Sequence, residues 1–120
     1  MSMYAAALTE LIAVDGARGA AVVDSTTGMV LAHTTVVEFD LESAAAAITE
    51  LVRAQGRALR MLGASDGIDD ILVTLTTQHH IIRPLRSSPE LFLYIVLDRA
   101  HSHLPLARQK AQDVDAKLSV

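Results

Sequence analysis

The chain has 120 residues, of which 51% are hydrophobic and 20% charged, and its formal net charge is −4. This composition predicts a single folded domain over residues 1–120. It argues against a nucleic-acid-binding protein, because such proteins usually carry a basic patch that neutralises phosphates. The chain has no cysteine, which excludes disulfides, catalytic thiolates and thiolate-bound zinc.

The N-terminal segment carries no recognisable signal for export. It lacks the basic start and the long apolar core of a signal peptide, since Thr9, Glu10 and Asp15 interrupt its apolar residues. No apolar run in the sequence is long enough for a membrane span. We therefore expect a cytoplasmic protein that is not inserted in a membrane.

A helix and a β-hairpin are predicted first. Residues 2–14 place apolar side chains at helical spacing, with Ser2 available as the N-cap. Two runs of β-type residues follow, over 19–24 and 29–37, and the segment that joins them begins with an acid and ends with a glycine. Such a segment is typical of a hairpin turn, so these runs are the first two predicted strands.

The longest periodic segment, Asp40 to Gly63, predicts a long helix with an aspartate N-cap and a left-handed glycine at its end. Its polar side chains form one narrow stripe, namely Glu42, Thr49, Glu50, Arg53, Arg57 and Arg60. One apolar row, predicted to face the sheet, consists of Leu41, Ala45, Ile48, Val52, Leu59 and Leu62. A second apolar row consists of Ala44, Ala47, Leu51, Ala54, Ala58 and Met61. An ordinary surface helix buries one apolar face, so the second row predicts a further packing partner, and our candidate is the same helix of a second subunit.

The second half of the chain predicts three strands and a final helix. The third strand covers 68–78 and the fourth 79–85, while the run over 91–97 is apolar throughout and therefore predicts a central strand covered on both faces. Residues 103–118 predict the last helix, with Pro105 in its first turn, where a missing N–H is harmless. The order of elements predicts one α+β domain with a mainly antiparallel sheet.

Five histidines raise the question of a metal site, but their spacing argues against one. His79 and His80 are adjacent in a predicted strand and point to opposite faces, with no acid or cysteine at a ligand-like interval. His101 and His103 lie where the last helix begins, and capping or exposure explains them. We therefore predict no metal site.

No motif indicates catalysis or a bound cofactor. The sequence contains no glycine-rich phosphate loop and no nucleophile elbow, and its few aromatic residues would supply a cofactor pocket poorly. Asp69 and Asp70 are interpreted as a solvated turn, and the three arginines of the long helix as a solvated face. The residues alone thus indicate an α+β binding or scaffolding domain without catalytic residues or cofactors.

Several segments together resemble the Roadblock/dynein light chain family, small profilin-like domains that accompany small Ras-like GTPases in bacteria and dynein in eukaryotes. The segments are Gly19-Ala-Ala-Val-Val-Asp24, Gly28-Met-Val-Leu-Ala32, the alanine-rich helix from Asp40, Ile71-Leu-Val-Thr-Leu75 and Leu104-Pro-Leu-Ala-Arg108. The resemblance covers nearly the whole chain. The family often has Asn-Leu-Gly before its closing Leu-x-Arg, and His103-Leu104-Pro105 stands there instead.

The resemblance implies a profilin-like fold and a homodimer. The sheet would have the strand order 2-1-5-4-3, with the long helix on one face and the two terminal helices on the other. The third strand would then be an exposed edge, and one two-fold dimer would cover that edge together with the second apolar row of the long helix. The expected interface residues are Ala44, Ala47, Ile48, Leu51, Ala54, Ala58, Met61, Leu72, Thr74 and Thr76.

The resemblance also implies a non-enzymatic function, since the family has no catalytic signature. The leading hypothesis is a homodimeric regulator or adaptor of a small Ras-like GTPase; bacterial relatives can stimulate GTP hydrolysis without supplying an arginine finger. A scaffold subunit of a larger complex is the first alternative. A small-molecule sensor, which would need an interior cavity, is the second.

Overall fold

Three helices and five strands make up the computed structural model, which describes residues 3–118. In chain order they are α1 Met3–Ile12, β1 Ala17–Asp24, β2 Val30–Thr35, α2 Leu41–Met61, β3 Ile71–Thr74, β4 Gln78–Pro84, β5 Leu91–Asp98 and α3 Leu104–Leu118. The predicted order of elements is therefore confirmed. The prediction that Ser2 caps the first helix lies outside the described residues.

The five strands form one sheet in the order β2-β1-β5-β4-β3, and all neighbouring strands are antiparallel. The predicted strand order is confirmed. The apolar run from Phe92 to Leu97 is fully buried, because β5 is the middle strand and has a helical layer on each face. The sheet is left with two edges, β2 and β3.

The helices divide between the two faces of the sheet as expected. On one face, α1 and α3 pack with side chains that include Leu8, Leu11, Leu93, Ile95, Ala111 and Val114. On the other face, α2 packs with side chains that include Ala21, Val23, Leu41, Ala45, Phe92 and Tyr94. Strands β1, β4 and β5 therefore contribute alternate residues to two separate cores.

Local sequence signals explain how the long helix begins and ends. The Asp40 side chain accepts a hydrogen bond from the Ser43 N–H, which caps the N-terminus of α2. At the other end, Gly63 adopts φ +68°, a left-handed conformation that terminates the helix. Both predicted caps are present.

The observed strand boundaries differ from the predicted ones, most of all in the second and third strands. The second strand ends at Thr35 rather than at Val37. The third strand was predicted over 68–78 but forms only Ile71–Thr74, because Leu75 N–H donates to the Gln78 carbonyl and closes a tight turn to β4. The exposed edge at β3 is consequently short.

Candidate functional site

The second apolar row of α2 lies at the surface of the subunit. Of its residues, Ala47, Leu51, Ala54 and Met61 are exposed, whereas Ala44 and Ala58 are half-buried. Ile48, which was predicted in the interface although it belongs to the first row, is half-buried and packs with the core beneath α2. Leu51 is 38% exposed and Met61 is 87% exposed. The row is thus an apolar strip that residues 3–118 of the same subunit leave uncovered at Ala47, Leu51, Ala54 and Met61.

The predicted interface residues of the third strand do not all share a face with α2. Leu72 pairs with Ile81, which belongs to the core beneath α1 and α3, so Leu72 and Thr74 lie on that face. Ile71 and Val73 instead pack with the core beneath α2. Thr76 lies in the turn after β3. Ile71 and Val73 are therefore the β3 residues that lie on the same face of the sheet as α2. The sequence analysis did not assign them to the interface.

Only the first half of α2 is seated firmly on the sheet. Its buried residues are Leu41, Ala45 and Thr49, and no residue after Thr49 is fully buried. Leu62, predicted to face the sheet, is 80% exposed, so the prediction is wrong at this position. Thr49, predicted on the polar stripe, is 1% exposed, and its hydroxyl donates to the Ala45 carbonyl of its own helix.

Arg53 ties α2 to the first hairpin. Its Nε donates to the Ser25 carbonyl over 2.8 Å, an Nη donates to the Thr26 carbonyl, and the other Nη pairs with Glu50 at 3.4 Å. The interpretation of this arginine as part of a purely solvated face is therefore wrong. Its donors are occupied within the subunit, and it fixes the β1–β2 turn against the helix.

An open groove of about 740 Å³ lies where the second half of α2 projects past the sheet. One wall is formed by α2 from Val52 to Arg60, the other by residues 64–69, and the floor by the connection between β4 and β5. We call this feature the α2 groove. It lies on the sheet-facing side of the helix, whereas the second apolar row faces away, so the two surfaces are separate.

Ion pairs join α3 to β4, to the segment before β3 and to α1, the last of these through Lys117 and Glu10. Arg83 and Asp115 are paired at 2.9 Å with side chains only 5% and 1% exposed, and Asp115 also accepts from the Arg86 N–H. Near the surface, Arg108 makes two hydrogen bonds of 2.9 and 3.0 Å to Asp70. The interpretation of Asp70 as a solvated turn residue is therefore wrong, and the sequence analysis missed the buried pair.

A buried pair of polar side chains, His80 and Tyr94, lies on the face of the sheet that α2 covers. His80 Nδ1 is 3.0 Å from the Tyr94 hydroxyl, and its Nε2 is 2.9 Å from Gln78 Oε1. Because the Gln78 oxygen only accepts, Nε2 donates and Nδ1 accepts from the tyrosine, which is the pattern of a neutral ring. Burial lowers the pKa of His80 from its ordinary 6.5 and raises the pKa of Tyr94 to about 12.

We expect the subunit to lose stability when the pH falls below about 6.5. The unfolded chain then binds a proton at His80 that the folded chain resists, so the free energy of unfolding decreases until the lowered folded pKa is reached. One proton gives a slope of at most about 1.4 kcal/mol per pH unit. Urea unfolding between pH 7.5 and 5.5 measures it. His80→Gln should flatten the slope. The aspartates with lowered pKa values titrate below this pH range, so they do not contribute to it. An unchanged slope in His80→Gln would show that a group other than His80 causes the pH dependence.

The histidines do not gather into a metal site. His80 pairs with Val96 on the α2 side and His79 with Leu97 on the other, so the adjacent histidines lie on opposite faces. Within residues 3–118, no three His, Cys, Asp or Glu side chains are grouped closely enough to hold a metal ion. In the same range, no helix is both long and apolar enough to cross a bilayer.

Comparisons with known proteins agree with this fold. The chain is similar to MglB, a gliding protein of Thermus thermophilus, with 18% identity, a TM-score of 0.82 and coverage of 98% of this chain and 86% of that one. It is similar to Myxococcus xanthus MglB, with 17% identity, a TM-score of 0.81 and coverage of 95% and 89%. A Roadblock/LC7 domain from Streptomyces avermitilis shows 12% identity, a TM-score of 0.79 and coverage of 93% and 91%.

Family membership follows from a match to a family profile rather than to any single curated protein. A search by sequence against curated proteins found no significant match. The sequence profile of the Roadblock/LC7 domain, however, matches residues 3–96, from the start of α1 into β5. That range includes α2 and β3, the two elements that carry the uncovered surfaces. The chain therefore belongs to the Roadblock/LC7 domain family.

Proposed function

We propose that this chain is a non-enzymatic, homodimeric regulator or adaptor of a small Ras-like GTPase. The observation that carries the proposal is the uncovered apolar row of α2, in which Leu51 and Met61 are exposed although the same helix already buries another side on the sheet. Such a strip is a liability in an isolated subunit. Family membership supports the choice of partner class.

A two-fold dimer would cover both uncovered surfaces of the subunit. Two α2 rows would pack against each other, and the two β3 edges would lie side by side in one continuous sheet. Ile71 and Val73, on the α2 side of β3, would then extend the apolar seam from the helix to the strand. In an isologous contact of this kind every substitution acts twice, once in each subunit.

The geometry favours a binding role over a catalytic one. Arg53 has its donors engaged by Ser25, Thr26 and Glu50, so it is not available as an arginine finger. A phosphate-loop nucleotide site would need a glycine-rich loop at a helix N-terminus, whereas the N-terminus of α2 is capped by the Asp40 side chain, which accepts from the Ser43 N–H. An effect on GTP turnover would therefore act through the shape of the bound GTPase.

The test combines the purified protein with the small Ras-like GTPase encoded nearest to it. We expect a complex by size-exclusion chromatography with light scattering, and a changed rate of phosphate release from GTP. The protein alone should neither bind nor hydrolyse GTP. GTP hydrolysis by the protein alone would contradict the non-enzymatic assignment, and failure to bind any small GTPase would favour a scaffold subunit instead.

A further inference from the structure

Gly56 stands in the wall of the α2 groove without a local structural reason. It lies in the interior of α2, where glycine is the least favourable residue except proline. A Cβ at this position would meet only the Arg60 guanidinium at 3.5 Å, an ordinary contact, so packing does not demand a glycine. Because Gly56 has no side chain, the groove is open beside the Arg60 guanidinium.

The groove is positively charged in an acidic protein. Five arginines and two aspartates line it, although the chain has a formal net charge of −4. Arg53 and Arg83 are engaged with partners in the same subunit, which leaves Arg57, Arg60 and Arg86 against Asp66 and Asp69, an excess of one positive charge in the lining. Within residues 3–118, the guanidinium groups of Arg57, Arg60 and Arg86 make neither an ion pair nor a hydrogen bond.

The spacing of these arginines carries a penalty within the subunit. Arg57 follows Arg53 by four residues and precedes Arg60 by three, and like charges at these spacings repel each other on a helix. Arg60 is partly compensated because it lies in the last turn of α2, where the helix dipole favours a cation, but neither Arg57 nor Arg60 makes an ion pair or a hydrogen bond within residues 3–118. Their positions are explained if an anionic group from outside the subunit lies between them and Arg86.

The other residues that line the groove limit the kinds of anionic ligand that can bind there. Half-buried Val52, Leu59 and Ile68 give the groove an apolar component. None of the lining residues is aromatic, so the groove offers no platform on which bases stack. It also lies along the C-terminal half of α2, away from the helix N-terminus, whose free N–H groups are what would cradle a compact phosphate.

We propose that the α2 groove binds an acidic polypeptide segment of a partner protein. Its carboxylates pair with Arg57, Arg60 and Arg86, and its apolar side chains lie on Val52, Leu59 and Ile68. Arginine suits this task because its planar fork binds a carboxylate through two hydrogen bonds. The proposal is independent of the GTPase assignment, since it requires only the groove within one subunit.

The probe is a fluorescein-labelled synthetic peptide in which glutamate alternates with leucine, titrated by fluorescence anisotropy against the full chain. We expect saturable binding that weakens as the salt concentration rises. Arg57→Gln with Arg60→Gln should weaken binding about tenfold or more. The matched control, Arg99→Gln with Lys110→Gln, removes the same charge outside the groove and should leave binding within about twofold.

Gly56 provides a second, steric test. Gly56→Leu fills the open wall and should abolish binding without unfolding α2, since leucine is a better helix former than glycine. Gly56→Ala adds only the tolerated Cβ and should leave binding intact. Circular dichroism and the oligomeric state verify that both variants remain folded and assembled.

Four results would overturn the proposal. The first is absence of peptide binding, and the second is equal binding of a peptide that alternates lysine with leucine. The third is arginine-dependent binding of a single-stranded oligonucleotide or of anionic lipid vesicles in place of the acidic peptide. The fourth is a change in oligomeric state in Gly56→Leu, which would show that a second copy of the chain fills the groove.

Discussion

Replacing Asp115 with alanine should lower the free energy of unfolding by about 3–5 kcal/mol, the largest single-residue effect on folding that we expect. The substitution leaves the Arg83 guanidinium charged in a position where its side chain is only 5% exposed. It also removes the acceptor for the Arg86 N–H, which lies at 3.0 Å. A buried charge without its partner is far less stable than the intact pair.

Urea unfolding at pH 7 measures this loss, and two further variants show its cause. Asp70→Ala breaks the pair with Arg108, whose side chain is 44% exposed, and should cost about 1 kcal/mol or less. Arg83→Met combined with Asp115→Asn removes the charge yet keeps an acceptor for the Arg86 N–H, so it should recover more than half of the loss. An equal cost for Asp115→Ala and Asp70→Ala would show that burial is not the cause.

The contact between Arg83 and Asp115 could be predicted only in part from the sequence. Alternation along β4 places Arg83 on the same face as Ile81, and Asp115 lies four residues after buried Ala111 on α3. Each residue was therefore predictably directed inward. Their contact was not predictable from spacing alone, because it depends on which end of α3 crosses β4, and that is a matter of tertiary packing.

The family resemblance predicted the strand order, and the apolar run of β5 predicted its central place. How far α2 extends beyond the sheet was not predicted. Periodicity identifies the side of a helix that is apolar, and it assigned Leu41 and Ala45 correctly to the sheet. It carries no information on how far the sheet extends beneath the helix. Leu62 follows the same period as Leu41 and yet lies beyond the sheet, which is why the α2 groove was not predicted.

Replacing Leu51 with aspartate should convert the proposed homodimer into monomers. Leu51 lies in the middle of the exposed apolar row, three residues before Ala54 and four after Ala47. In a two-fold seam the substitution buries two unpaired carboxylates, at a cost of about 3 kcal/mol or more, which weakens dimerisation more than a hundredfold. Light scattering at micromolar concentration distinguishes the two states.

The matched control for this substitution is Ala46→Asp. Ala46 is exposed on the same helix, in line with Glu42 and Glu50, so it receives the same charge on the polar side of α2. That variant should remain dimeric, and its stability should fall by only about 1 kcal/mol, because aspartate is a poorer helix former than alanine and lies four residues from both Glu42 and Glu50. A monomeric wild type, or a Leu51→Asp variant that stays dimeric, would contradict the assignment of the seam to this row.

The same pair of variants tests whether the GTPase recognises a surface shared by two subunits. If it does, Leu51→Asp should lose GTPase binding together with dimerisation, although Leu51 itself lies in the seam, whereas Ala46→Asp should retain both. The two equilibria are then linked, so addition of the GTPase should in turn strengthen dimerisation of the wild type by the same factor. Equal binding of the GTPase by a verified monomer would show that each subunit carries a complete binding surface.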